Sequence, residues 1–177
     1  RDGVAGSKTL AALESSSVVT NKVQTGTTLR MGSVSTAVQS LQNRLIALVA
    51  AMLLDAQPGS TFVTDSVTSS GLSAFIAEWG GIHYRFKRGY RSVIDEAVRL
   101  NAEGIDCPLA IETSGHAAFR DNSFLDDGIY LATRVICEAL NRKREGKNVF
   151  RLIDDLKEPV ESVELRLPIL EFEDWAP

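Results

Sequence analysis

The sequence predicts an α/β fold of three layers, with a mixed, largely parallel sheet flanked by helices. Apolar segments with strand-like and helix-like patterns alternate three times between residues 43 and 140. Glycine or proline ends several of these segments, as at Pro58-Gly59 and Gly80-Gly81, and the connections are short. Such alternation is typical of β-α-β units, whose strands pair in parallel beneath their connecting helices.

The predicted elements follow one another in a regular order. Asn43 is expected to cap the first helix, because an Asn side chain accepts hydrogen bonds from free helix N–H groups. Asp126 and Asp127 are expected at the start of a long helix, where the positive end of the helix dipole favours carboxylates. In order, we predict a helix at 43–54, a strand at 61–64, a helix at 72–79, a strand at 82–86, a helix at 90–100, a strand at 107–111, a long helix at 126–140, a short helix at 150–156 and an edge strand at 163–169.

The two ends of the chain differ from its centre. Residues 1–42 contain thirteen Ser or Thr, two acids and no aromatic residue, so they are predicted to form an extended or loop-rich arm that needs a partner to hold it. Their composition is also similar to an organellar transit peptide. Residues 43–158 are predicted to be the α/β domain, and residues 159–177 a hinge or edge strand with an acidic tail. That tail is either a solvated surface or a contact for a basic partner.

Composition excludes several classes of protein. The formal charge of −4 argues against a general affinity for nucleic acids. The longest nearly continuous apolar run, at 45–54, is about half the roughly 20 residues of a membrane-spanning helix, so no transmembrane segment is expected. Two cysteines lie 30 residues apart, Cys107 and Cys137, which argues against a zinc site or a disulfide framework. A reducing compartment is expected, the cytoplasm or an organelle lumen such as stroma or matrix, and not secretion.

A first candidate site lies at 85–90, where a strand ends and a helix begins. Strand alternation predicts Tyr84 and Phe86 on one face, with Arg85 and Lys87 on the other. Basic side chains, Gly89 and free helix N–H groups together favour an anion site for a phosphate or phosphosugar. The alternative is a solvated basic edge.

A second candidate site is the segment 112–116, which follows an apolar strand. The Glu112 carboxylate and the Ser114 hydroxyl suit a clamp for vicinal sugar hydroxyls. His116 is either a proton-transfer group or a hydrogen-bonded loop histidine. His83 is interpreted as a strand residue. A metal site formed by His116, Asp126 and Asp127 is considered and not favoured, because two adjacent acids more often cap a helix.

These residues in this order resemble the third domain of the α-D-phosphohexomutase superfamily, the phosphoglucomutase and phosphomannomutase enzymes. The resemblance covers residues 43–169. It rests on five segments in order: Asn43-Arg-Leu-Ile-Ala-Leu, Val63-Thr-Asp-Ser-Val-Thr-Ser69, Phe86-Lys-Arg-Gly-Tyr90, Ala110-Ile-Glu-Thr-Ser-Gly-His116 and Leu125-Asp-Asp-Gly128.

The resemblance implies a hexose phosphate as ligand. It implies that Glu112 and Ser114 hold the sugar hydroxyls, and that Lys87 and His116 lie at the substrate with proton-transfer or phosphate-contact roles. Proton transfer by His116 is the one catalytic role considered in this chain. Residues 160–169 resemble the hinge into a fourth domain. The expected substrate-binding set is Lys87, Arg88, Gly89, Glu112, Ser114 and His116.

The sequence also departs from the family pattern. Family members carry a phosphoserine loop of the type Thr-x-Ser-His-Asn and hold Mg²⁺ with an Asp-x-Asp-x-Asp-Arg loop, and neither motif is present. No metal or other cofactor is therefore expected in this chain, which is predicted to be inactive alone.

Two hypotheses follow from this pattern. One is a sugar-phosphate-recognising part of a phosphohexomutase. The other is a repurposed domain that serves as a structural or interaction subunit of a larger assembly, in an organelle or elsewhere, with a protein partner bound through residues 1–42 and the acidic tail. Residue 1 is Arg and not Met. The chain is therefore considered as a processed product, a fragment or the result of a gene-model error.

Overall fold

The computed structural model describes residues 36–157, which contain four helices, four strands and two short 3-10 helices. The elements are α1 (Thr36–Ala56), β1 (Thr61–Asp65), α2 (Ser70–Glu78), β2 (Ile82–Phe86), α3 (Tyr90–Ala102), β3 (Leu109–Ile111), β4 (Ala117–Phe119), α4 (Gly128–Arg144), and the 3-10 helices Arg120–Asn122 and Val149–Ile153. The predicted strand at 163–169, the acidic tail and residues 1–35 lie outside the described residues.

The four strands form one sheet in the order β2-β1-β3-β4. Strand β1 pairs in parallel with both β2 and β3, and β3 pairs antiparallel with β4. The sheet is therefore mixed and mostly parallel, as predicted. Because β1, β2 and β3 run in the same direction, their carboxyl ends, at Asp65, Phe86 and Ile111, lie at one edge of the sheet.

The sheet separates two apolar clusters. On one face, Phe62, Leu109 and Ile111 pack with residues of α1, α2 and α4. On the other face, Val63 and Ala110 pack with Val93, Ala97 and Leu100 of α3. Neighbouring residues of β1 thus point to opposite faces, as the pleat of a strand requires. Helices on both faces give the predicted three layers.

Helix α1 begins at Thr36, so the prediction that Asn43 caps it is wrong. Asn43 is buried inside the helix, where its amide N–H donates to Gln39 O at 3.0 Å. Its side-chain oxygen accepts from the backbone N–H of Ser69 at 3.2 Å. Asn43 therefore joins α1 to the start of α2, a long-range role that a local capping pattern could not show.

Helix α1 is longer than its apolar sequence run. Within the described part of the chain, it is the one helix long and apolar enough to cross a membrane. Of its most apolar stretch of 18 residues, 56% is buried inside the domain. Core helices of globular domains meet the same two criteria. The expectation of no transmembrane segment stays a prediction.

The region after β2 departs from prediction in its details. Strand β3 starts at Leu109 and not at Cys107, although Cys107 is fully buried. Strand β4 was not predicted, because its three residues were included in a polar loop. A turn joins the two strands, in which Glu112 N–H donates to His116 O at 2.9 Å. This hairpin brings residues 112–116 to the carboxyl edge of the sheet.

Candidate functional site

The loops after β1, β2 and β3 meet at the carboxyl edge of the sheet, and hydrogen bonds join them. The central contact is a 2.7 Å hydrogen bond from the Gly89 N–H to Glu112 Oε1. Glu112 is buried, with 6% of its surface exposed. Ser114 Oγ donates to the second oxygen, Glu112 Oε2, at 3.1 Å. The two segments singled out from the sequence therefore form one site.

Strand β2 presents its aromatic residues on one face. The rings of Tyr84 and Phe86 lie 6.3 Å apart in a stacked arrangement. Arg85 points to the opposite face, where its guanidinium donates to the backbone oxygen of Thr68 at 3.3 Å. These positions agree with the predicted alternation.

Lys87 does not lie on the face of Arg85, so that part of the prediction is wrong. Its ammonium lies 5.6 Å from the centre of the Phe86 ring, a cation-π geometry. The reason is that β2 ends at Phe86, so the strand alternation stops before Lys87. Lys87 and Arg88 are both exposed. Both cations are therefore accessible to a dissolved anion.

Gly89 makes the turn from β2 into α3. Its φ of 126° lies in the left-handed region that side chains other than that of glycine rarely adopt. It is the N-cap of α3 and supplies no side-chain cap. The Glu112 carboxylate accepts from this backbone N–H in place of a capping side chain. The Gly89 N–H is therefore occupied, and an anion would use the following N–H groups of α3.

A buried carboxylate supports the site from below. Asp65, at the end of β1, is 1% exposed. Its oxygens accept from the Thr113 N–H at 3.3 Å and from Thr113 Oγ1 at 2.7 Å. The pKa of Asp65 is raised, mainly because the carboxyl group is buried. The hydrogen bonds from Thr113 and the charge of Arg88 oppose this shift, and the charge of Glu112 adds to it. Asp65 was not among the predicted site residues, because no local pattern indicates that it fixes Thr113 between Glu112 and Ser114.

His116 is held by contacts on two sides. Its Nδ1 lies 2.6 Å from Asp126 Oδ2, and its ring stacks on Tyr90 with centres 4.9 Å apart. Asp126 Oδ1 accepts from the Ala117 N–H at 3.2 Å, which fixes the carboxylate. In the neutral imidazole, a proton on Nδ1 donates to Asp126 and leaves Nε2 as an acceptor. Tyr90 and Asp126 were not in the predicted substrate-binding set, and Asp126 was considered beside His116 only as a metal ligand.

The two adjacent acids have separate roles. Asp127 caps α4, because its Oδ1 accepts from the N–H groups of Ile129 and Tyr130 at 2.9 and 3.0 Å. The bond from Tyr130 N–H is the main cause of a lowered Asp127 pKa. Asp126 does not cap the helix, so the expectation for the pair is correct only for Asp127. A search for capping patterns alone could not separate them.

A strained turn places Asp126. Ser123 and Phe124 have φ values of 53° and 55°, in the left-handed region. Phe124 packs against the apolar cluster beneath α3, and Asp126 bridges to Ala118 of β4. Such backbone conformations persist where the surrounding structure requires them, often at functional sites.

His83 lies on the other side of β2 and takes no part in this site. Its Nε2 lies 2.7 Å from Thr64 Oγ1, and its Nδ1 lies 2.6 Å from Ser73 Oγ. Burial lowers its pKa to about 4. His83 is a hydrogen-bonded structural residue of β2.

Among residues 36–157, no group of three or more His, Cys, Asp or Glu side chains is placed to hold a metal ion.

A cavity of about 390 Å³ lies apart from this site, near the far end of α4. It is lined by Trp79, Arg142, Gly146, Lys147, Asn148, Arg151 and Leu152.

Comparisons with known proteins bear on the identity of this domain. The family described as "Phosphoglucomutase/phosphomannomutase, alpha/beta/alpha domain III" matches residues 42–159. A phosphomannomutase/phosphoglucomutase of Pseudomonas aeruginosa strain PAO1 is 29% identical over 109 residues, which are 61% of this chain and 22% of the relative. The protein of the same name from Pseudomonas syringae pv. tomato is 30% identical over 128 residues, 72% of this chain and 26% of the relative.

A solved structure agrees with these relatives. The crystal structure of a phosphoglucomutase/phosphomannomutase family protein from Burkholderia thailandensis matches with a TM-score of 0.50 and 28% identity, over 65% of this chain and 23% of that one. The chain thus spans about a quarter of the length of these proteins. Because the family match covers more than half of the chain, the chain belongs to the phosphoglucomutase/phosphomannomutase family and contains its alpha/beta/alpha domain III.

Proposed function

We propose that this domain binds a hexose phosphate at the carboxyl edge of its sheet and contributes this site to a larger mutase assembly. The hydrogen bond from Gly89 N–H to Glu112 Oε1 carries the proposal, because it joins the basic loop after β2 to the acidic loop after β3. A ligand that is anionic at one end and rich in hydroxyls at the other matches these two loops.

The sugar would contact the loop after β3. Glu112 already accepts from Gly89 and Ser114, and a carboxylate with two oxygens has further lone pairs for sugar hydroxyls. Ser114 is exposed, so its hydroxyl can rotate from Glu112 to a ligand. The buried position of Glu112 fixes its orientation before the ligand arrives, which lowers the entropy cost of binding.

The phosphate would contact the loop after β2. Lys87 and Arg88 are exposed at the start of α3, and the first N–H groups of a helix favour anions. Arg88 also acts on Asp65, whose pKa its charge lowers. The positive charge of Arg88 therefore acts at the same edge of the sheet as the buried Asp65.

His116 would accept a proton from a ligand hydroxyl at Nε2. The contact between His116 Nδ1 and Asp126 Oδ2 favours the tautomer in which Nε2 is unprotonated. Stacking on Tyr90 limits rotation of the ring. Asp126 is thus proposed as a positioning residue, which acts on the ligand through His116.

Phosphoryl transfer would need groups from outside this chain. The sequence has no phosphoserine loop and no Asp-rich loop of the kind that holds Mg²⁺ in the family, and the described residues offer no cluster that fits the ion. Transfer of a phosphoryl group depends on positioned charge. We therefore propose that the chain alone binds ligand without turnover, and no step is assigned to a metal.

The test is calorimetry of the 177-residue chain with glucose 1-phosphate and mannose 1-phosphate. We expect millimolar or tighter binding, weakened at least about fivefold by Lys87→Ala, since loss of one charge-assisted contact costs about 1 kcal/mol or more. Lys147→Ala, which removes an exposed lysine far from the site, should bind like the wild type. Absence of heat at 10 mM ligand, or equal effects of both variants, would refute the proposal.

A second candidate function is an interaction subunit. The outward-facing apolar residues of α4, Ile129, Ile136 and Leu140, favour it because such a surface on a single domain indicates a protein partner. Retained sugar-phosphate binding and a protein contact are compatible, since the two surfaces are different.

A further inference from the structure

Helix α4 carries its large apolar side chains on the face turned to solvent. Ile129, Ile136 and Leu140 are 82%, 58% and 52% exposed. Their spacing of seven and four residues places them in one row along the helix, about 16 Å long. We call this row the α4 stripe. Thr133 lies in the same row, and its hydroxyl is occupied by a 2.8 Å hydrogen bond to Ile129 O.

The inward face of α4 is mixed. Leu131 is buried, and Tyr130, Val135 and Ala139 pack against the core. Arg134 lies 5.6 Å from the centre of the Phe119 ring, and Arg142 donates to Glu138 on the same side. Apolar side chains therefore lie on both the inner and the outer side of α4, whereas the outer side of a surface helix is usually polar. A helix of this kind is stabilised when a second surface covers its outer face.

Acids lie at the start of α4 and bases at its end. Asp126 and Asp127 come just before its first residue, and Arg142, Lys143 and Arg144 are in its last turn. The apolar stripe lies between them. Two such helices side by side attract each other when they run antiparallel and repel when they run parallel.

We propose that α4 is the contact between two copies of this chain, paired antiparallel about a two-fold axis. When Ile129 of one copy is level with Leu140 of the other, Thr133 is level with Ile136, so the stripe covers itself. The same register places Lys143 of the other copy level with Asp126. Each copy then brings a cation beside the carboxylate that holds His116, at the edge of the ligand site.

The expected association is weak. One helix pair buries less than the roughly 800 Å² per partner that is typical of stable complexes. We therefore expect a dissociation constant of about 10–100 µM. The separated charges predict that added salt weakens the dimer further.

The experiment is sedimentation equilibrium of the full chain from about 1 to 500 µM, a range that brackets the expected affinity. We expect the average mass to rise from the 19.2 kDa of one chain towards twice that value. Ile136→Asp should stay monomeric, and Lys143→Glu with Arg144→Glu should weaken association at least tenfold. Phe150→Asp is the matched control, because Phe150 is 60% exposed on a different element, and it should behave like the wild type.

Three results would overturn the proposal. The first is a wild-type chain that stays monomeric over the whole range. The second is association that Ile136→Asp does not change, which would place the contact on another surface. The third is association that charge reversal or added salt strengthens. Because Ile136 is exposed, its replacement should not unfold the domain, and circular dichroism checks this.

Discussion

Gly89 and Glu112 are 23 residues apart in sequence and joined by a 2.7 Å hydrogen bond from the Gly89 N–H to Glu112 Oε1. The bond connects the start of α3, which follows β2, with the end of β3. Strands β2 and β3 lie on opposite sides of β1 in the sheet. The carboxylate thus caps a helix and takes its own orientation from that helix. Stability and the proposed ligand binding at this edge are therefore expected to depend on the same contact.

Gly89→Ala should destabilise the domain by about 1–2 kcal/mol, because an alanine at φ 126° is strained. Chemical denaturation measures this change. Gly128→Ala is the control, since Gly128 begins α4 and its added Cβ meets nothing within 4 Å. That variant should be neutral or more stable. Equal stability of the two variants would mean that the backbone at Gly89 is not constrained.

Glu112→Ala should cost about 1–3 kcal/mol of stability, because it leaves the half-buried Gly89 N–H without its acceptor. Glu103→Ala removes an exposed acid that pairs with Arg99, and it should cost about 0–1 kcal/mol. Thermal denaturation compares the two variants. If Glu103→Ala is the more damaging of the pair, Glu112 does not stabilise the junction of the two loops.

Asp126→Asn should release the tautomer of His116. An Asn side chain can either donate to or accept from Nδ1, so neutral His116 would populate both tautomers. ¹⁵N NMR of the imidazole distinguishes protonated from unprotonated nitrogens, and the wild type should show an unprotonated Nε2. Asp127→Asn alters the helix cap and not His116, so its spectrum should match the wild type. A protonated Nε2 in the neutral wild type would contradict the proposed orientation.

The sequence predicts the sheet and the two loops more reliably than the contacts between them. Parallel strands that end in Phe86-Lys87 and Ile111-Glu112 must place those residues at one edge, so periodicity suffices for that prediction. It does not suffice for Tyr90 and Asp126, which reach His116 through a stack and a strained turn. Neither contact leaves a periodic signal.

Asn43 shows a second limit of local patterns. An Asn before an apolar run is typical of a helix cap, yet Asn43 lies inside α1 and bonds to Ser69, 26 residues away. The short strand β4 was missed because three residues are too few to show alternation. In both cases the deciding interaction is tertiary.

His83 should make stability depend on pH. Burial lowers its pKa from 6.5 to about 4 in the folded state. Between these values the unfolded chain binds a proton that the folded chain does not, so stability is complete above pH 6.5 and falls as the pH decreases towards 4. The full loss is about 3 kcal/mol. Urea denaturation at several pH values from 4 to 8 measures it.

His83→Asn is the informative variant for this dependence. It should lower stability at pH 8, because the bonds to Thr64 and Ser73 change, and it should flatten the decrease between pH 6.5 and 4. His116→Asn replaces the half-exposed histidine and should keep the decrease. A slope that survives in His83→Asn would assign the pH dependence to other groups.

The two cysteines should react at very different rates with a thiol reagent. Cys107 is fully buried, and burial raises its pKa to about 11, so both access and thiolate content are low. Cys137 is exposed on α4. One thiol per native chain should be modified quickly, and Cys137→Ser should abolish this phase, whereas Cys107→Ser should retain it. Fast reaction of Cys107 in the native chain would mean that the layer between α3 and the sheet opens readily, contrary to the packing of Cys107 against Val93 and Ala97.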